Sequence, residues 1–101
     1  IDKDFLQVRV YDQNSTGKIA YGWAYYSPVR HIKPGQNILF WNRLVNTTAD
    51  VEINYGDGTD IQIISDEIKH SFNKSGYYTV ELSSRGSNNE PVSVKMEVIV
   101  D

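Results

Sequence analysis

Val51-Glu52-Ile53-Asn54-Tyr55-Gly56-Asp57-Gly58-Thr59, then His70-Ser71-Phe72, then Ser75-Gly76-Tyr77-Tyr78-Thr79-Val80-Glu81-Leu82, is the part of the sequence that decides the fold. Val51, Ile53 and Tyr55 alternate with polar residues, and Tyr78, Val80 and Leu82 alternate with Thr79 and Glu81. That is strand periodicity, in which successive side chains face opposite ways. Gly56-Asp57-Gly58 is a tight turn, because glycine reaches positive φ without a Cβ clash and Asp57 can hydrogen-bond nearby backbone amides. Ile68 and Phe72 are spaced for one helical turn, yet Ile68, His70 and Phe72 also share strand parity, and strands on both sides favour a strand. Tyr78, entering a strand just after Gly76, stands where a tyrosine corner puts its hydroxyl on upstream backbone and closes a Greek-key crossing.

Outward from this stretch the same pattern repeats. Alternating runs cover Phe5 to Tyr11, Lys18 to Tyr26, Gln36 to Val45, Thr59 to Ser65 and Val92 to Val100, the last with Val92, Val94, Met96, Val98 and Val100 inward. Turn signals separate them: Asp12-Gln13-Asn14-Ser15-Thr16-Gly17, Ser27-Pro28 and Pro34-Gly35. Many short strands with regular punctuation predict an all-β, antiparallel sandwich. Composition agrees, since 10 Val, 10 Ile and 5 Thr stand against 4 Leu and 3 Ala in 101 residues, a one-domain length.

Charge and cysteine content narrow the function classes. Ten Lys and Arg against thirteen Asp and Glu give a net charge of -3, so there is no basic field to hold a phosphate backbone and no nucleic acid is expected as partner. With no cysteine there is neither a disulfide framework nor a thiolate metal site, and His31 and His70 are too few for zinc. No apolar run approaches the roughly 20 residues of a membrane span, so no direct membrane insertion is expected. The chain opens at Ile1 and closes on a strand-like run, which suggests a module of a longer protein.

The three quoted segments, in this order and spacing, resemble the PKD (polycystic kidney disease) domain family. Its members show an aromatic-rich strand ending in Gly-Asp-Gly, a His-Thr-Tyr-like triplet, and a turn leading into Gly-x-Tyr-x-Val-x-Leu. The likeness runs from about Gly35 to Val100, with Gly56, Asp57, Gly58, His70, Phe72, Gly76 and Tyr78 as the motif residues. It implies an immunoglobulin-like β-sandwich; residues 1–34 exceed what a minimal member needs, so the single domain over residues 1–101 is expected to add there a first strand plus an additional hairpin. It also implies a non-catalytic extracellular or cell-surface module serving spacing, adhesion or substrate presentation, whose partners are other domains of the parent chain, a polysaccharide or a surface protein. Some members carry calcium, for which Asp57 and Asp60 are the candidate oxygen ligands here. One departure is Ile53, where the family has a core Trp, so aromatic core volume is expected from Phe40 or from the 18–26 run.

Four of the twelve aromatic residues fall in Tyr21-Gly22-Trp23-Ala24-Tyr25-Tyr26. Alternation puts Tyr21, Trp23 and Tyr25 on one face about 7 Å apart. Two assignments are open: the row faces solvent and stacks on successive sugar rings, or it is core and small Ala20, Gly22 and Ala24 face outward. Trp41 has outward parity with Leu39 and Arg43, either in solvent or beneath the additional hairpin. The solvent assignment makes Tyr21, Trp23, Tyr25 and Trp41 a ligand-binding set, as in a carbohydrate-binding module of a secreted polysaccharide-degrading enzyme. His70 is expected to be a partly buried residue whose ring N–H bonds a backbone carbonyl. Nothing points to catalysis: there is no Gly-x-Ser-x-Gly elbow, no phosphate-cradling glycine loop and no His-Glu-x-x-His, and a sandwich this small rarely encloses a reactive cleft.

Overall fold

Every alternating run from residue 19 onward forms a strand in the computed structural model, which describes residues 19–101. In chain order these are β1 (Tyr21–Ser27), β2 (Ile38–Val45), β3 (Glu52–Asn54), β4 (Gln62–Ile63), β5 (Glu67–His70), β6 (Gly76–Arg85) and β7 (Pro91–Val100). They pair antiparallel into two sheets, β1-β2-β5 and β4-β3-β6-β7. The predicted run Phe5 to Tyr11, and with it the additional hairpin, lies outside the described residues.

Strand bounds move for local reasons. The run predicted over Thr59 to Ser65 contracts to Gln62–Ile63, because the Asp57 carboxylate holds both the amide and the hydroxyl of Thr59 and keeps that residue in the turn. Ile68 and His70 do lie on a strand, opposite Phe40 and Ile38 of β2.

The two sheets bury one continuous core. Ile38 and Phe40 from β2, Ile53 from β3, Val80 and Leu82 from β6, and Met96, Val98 and Val100 from β7 supply its inward rows. Full burial of side chains of this size stabilises by about 1.5–3 kcal/mol each. Ile53 fills the core position of β3 with an aliphatic side chain, and aromatic volume comes from elsewhere: Phe40 lies 6.0 Å from the Tyr26 ring and 5.6 Å from Tyr55. Phe72 meets Tyr55 edge-on at 6.4 Å and stacks on Tyr78 at 4.3 Å. The Tyr78 hydroxyl donates to the Lys74 carbonyl at 2.7 Å, which is the expected tyrosine corner.

Gly56 is fixed by packing as well as by its φ of 73°, since a Cβ there would collide with the Thr79 carbonyl of β6. After β1 the chain crosses toward the second sheet: Ile32 forms a parallel bridge with Val100, and the Tyr26 hydroxyl donates to the Glu97 carbonyl at 2.6 Å. The end of β1 therefore lies beside the end of β7, and Tyr21 lies about 20 Å away along the strand.

Candidate functional site: the outer face of the first sheet

Strand register builds this face. Tyr21 pairs with Val45, Trp23 with Arg43, Tyr25 with Trp41 and Ser27 with Leu39 across β1 and β2. On the other side of β2, Trp41 pairs with Glu67 and Leu39 with Lys69. Residues directly opposite in an antiparallel pair share a face, so all of these side chains lie on the outer surface of one sheet.

Tyr21, Trp23 and Tyr25 are 57%, 55% and 50% exposed, so the assignment of this row to the core is overturned. The reason is volume: Tyr26, Phe40 and Leu44 already fill the inward side, leaving room there only for small neighbours such as Ala24. Gly22 is one such neighbour. It has a φ of 136°, and a Cβ on it would strike the Arg43 carbonyl, so the backbone of β1 passes closer to β2 than any other residue allows.

Trp41 is half-buried beside Tyr25, one strand spacing or about 5 Å across the sheet. Its neighbour is β1 itself. Together the four rings form a bent platform, three along β1 and one on β2. Among the described residues, no hydrogen bond uses either indole N–H or the hydroxyls of Tyr21 and Tyr25, and the Arg43 guanidinium bonds only the carbonyl of Asn42 at 3.0 Å. Such a surface offers flat apolar area edged by free donors, the combination that recognises amphipathic rings.

The Gly-Asp-Gly turn makes a second cluster. His70 Nε2 lies 2.7 Å from Asp57 Oδ2, which corrects the expectation that this ring bonds a backbone carbonyl. The ring also stacks on Tyr55, with centroids 3.6 Å apart and planes 4° from parallel. Asp57 Oδ1 accepts from the Thr59 amide at 3.0 Å and from the Thr59 hydroxyl at 2.5 Å. Partial burial pushes the Asp57 carboxyl up, but the hydrogen bonds from Thr59 and His70 and the nearby imidazole outweigh it and hold it below its ordinary value. Burial, with the Asp57 charge added, pushes the Tyr55 hydroxyl up.

This cluster ties the turn of the second sheet to β5 of the first. The Thr59 hydroxyl bonds the carboxylate and the Tyr55 hydroxyl bonds Gln62 Oε1, neither of them the imidazole, so the geometry activates no nucleophile. Both oxygens of Asp57 are thus engaged by Thr59 and His70, while Asp60 lies exposed on the surface. Among the described residues no group of three or more His, Asp or Glu side chains converges to hold a metal ion.

Sequence reasoning singled out all four rings, but the side-by-side placement of Trp41 and Tyr25, and of Arg43 and Trp23, depends on register. No signal within either strand states that register. Only the shared parity of Trp41 and Arg43 on one run hinted at it.

No protein-family model matches the chain, and no curated protein matches it at a significant level. Solved structures do resemble it. One is of carbohydrate-binding modules from the β-sandwich superfamily with promiscuous specificity, at TM-score 0.69 and 16% identity over 85% of this chain. This chain spans 36% of that one. Another is the solution structure of the PKD domain from the human VPS10 domain-containing receptor SorCS2, at TM-score 0.61 and 16% identity, covering 100% of this chain and 87% of that one. The chain has a PKD-like β-sandwich fold.

Proposed function

We propose that this chain is a non-catalytic module of a larger cell-surface or secreted protein and that it holds a polysaccharide chain on the outer face of β1 and β2. One observation carries the reading: Tyr21, Trp23 and Tyr25 stand about half exposed on a single face with Trp41 beside them. Exposed aromatic residues scattered singly are ordinary, but a contiguous row with unused polar edges marks a binding surface. Sugar rings are apolar on their faces and hydroxylated at their rims, so stacking on the rings and hydrogen bonding at the edges act together. The structural likeness to carbohydrate-binding modules agrees with this reading.

The position of the strand ends supports a second, compatible role. Tyr21 and Val100 lie toward opposite ends of the sandwich, since the close of β1 is the part that meets β7. Neighbours attached at those two ends would be held apart with the β1–β2 face displayed between them, which suits spacing or adhesion.

Pull-down on insoluble polysaccharides, covering neutral and acidic types, tests the binding role. Trp23→Ala should abolish retention while the melting temperature moves little, and Trp41→Ala, at a more buried ring, should abolish retention and lower the melting temperature as well. Retention unchanged in both variants would overturn the reading.

A further inference from the structure

Arg43 stands out on the aromatic face because, among the described residues, no ion pair engages its guanidinium. It is exposed on β2, directly opposite Trp23, with Trp41 and Val45 two residues to either side on the same face. Its only bond among the described residues is to the neighbouring Asn42 carbonyl. Among the described residues of these strands, the carboxylate on this face is Glu67, opposite Trp41 and diagonal to Arg43 with no ion pair between them, and the third charge, Lys69, lies opposite Leu39. The chain as a whole is acidic, at -3, yet on this face Trp23 and Trp41 flank a cation.

That cation is a poor fit to a neutral sugar. Guanidinium has five donors and no acceptor, stays charged at all accessible pH, and is matched best by a planar carboxylate that takes two parallel N–H bonds. A sugar hydroxyl can accept from these N–H groups but is neutral, so it lacks the charge assistance that a carboxylate brings to the same fork. Resting on the polysaccharide reading above, we infer that the ligand is a uronic-acid-bearing glycan, with pyranose rings stacked on Trp23 and its neighbours and a uronate carboxylate held by Arg43.

The test compares two polymers with one backbone: polygalacturonate, and the same polymer fully methyl-esterified so that each carboxylate is neutral. Binding is measured by calorimetry with the full chain, with chelator present so that calcium does not gel the acid form, and alginate serves as a second uronate polymer. The expected result is binding of both acid polymers at least tenfold tighter than of the ester, weakening as NaCl rises from 50 to 500 mM. Arg43→Gln should remove that preference, bringing the acid polymers down to the level of the ester, and Arg43→Lys should keep only part of it. Arg43 is exposed, so unchanged melting temperatures check that the variants fold.

If ester and acid bind alike, or Arg43→Gln changes neither, the inference is overturned. The aromatic platform still stands in that case if Trp23→Ala removes the binding seen. If neither polymer binds, the uronate inference fails, and the pull-down series on neutral polysaccharides decides the platform separately.

Discussion

The two outer faces of this sandwich are built from the same kind of strand and differ in almost every side chain. On the first sheet, Tyr21, Trp23, Tyr25 and Trp41 lie together with Arg43. On the second, the β6–β7 pairs are Thr79 with Glu97, Glu81 with Lys95 and Ser83 with Ser93, small or charged groups that water solvates well. Tyr77 and Ile99 form one exposed apolar pair at an end of that sheet, apart from any aromatic row. A sheet needs only one apolar face to fold, and the outer face of the second sheet is mostly polar, its exposed large apolar residues being Tyr77, Ile99 and Ile63. The aromatic face is the one that the proposed binding role needs.

Stability measurements sharpen this contrast first. Phe40→Ala empties the centre of the core and should cost about 3–5 kcal/mol in chemical denaturation. Trp23→Ala removes as large a ring from the outer face and should stay within about 0.5 kcal/mol. Comparable losses in the two variants would return the row to the core and erase the distinction between faces.

A smaller effect separates the structural tyrosines from the surface ones. Tyr78→Phe deletes the bond from its hydroxyl to Lys74 and should cost about 0.5–1.5 kcal/mol, whereas Tyr25→Phe should leave stability alone. Equal effects would show that the corner does not hold the crossing.

The Asp57 cluster predicts a pH dependence confined to the interior contacts. A carboxyl whose pKa is lower in the folded state than in the unfolded one adds stability above its unfolded value, and that stability is lost as pH falls through the folded value. The melting temperature should accordingly drop below about pH 4, near the ordinary carboxylate value, and Asp57→Asn should flatten that drop. A variant with the same acid-side slope as the parent chain would remove Asp57 from the account. The smallest change is expected on the polar face: Lys95→Ala, opposite Glu81, should shift stability by under about 0.5 kcal/mol and leave glycan binding untouched.

Much of the fold was legible because parity and turn chemistry are local. The alternation of Tyr78, Val80 and Leu82, the Gly-Asp-Gly turn and the tyrosine corner each follow from a few neighbouring residues, and the structure places them as read. What was not legible depended on pairs distant in sequence. Alternation told that Tyr21, Trp23 and Tyr25 share a face, but not which one, because that depends on how much volume Phe40, Tyr26 and Leu44 bring to the other side. His70 was read as half-buried and correctly so, yet its partner sits thirteen residues away across a turn, and a carboxylate replaced the expected carbonyl. The isolated cation at Arg43 appears only once β1 and β2 are in register.

The most direct measurement is an amide and indole NMR titration of the chain with a soluble polysaccharide series, neutral and uronate. The account predicts shifts concentrated at Tyr21 to Tyr25, Trp41 and Arg43, with both indole N–H signals moving and Thr79, Glu81 and Lys95 still. Shifts centred on β6 and β7, or none with any member of the series, would contradict it.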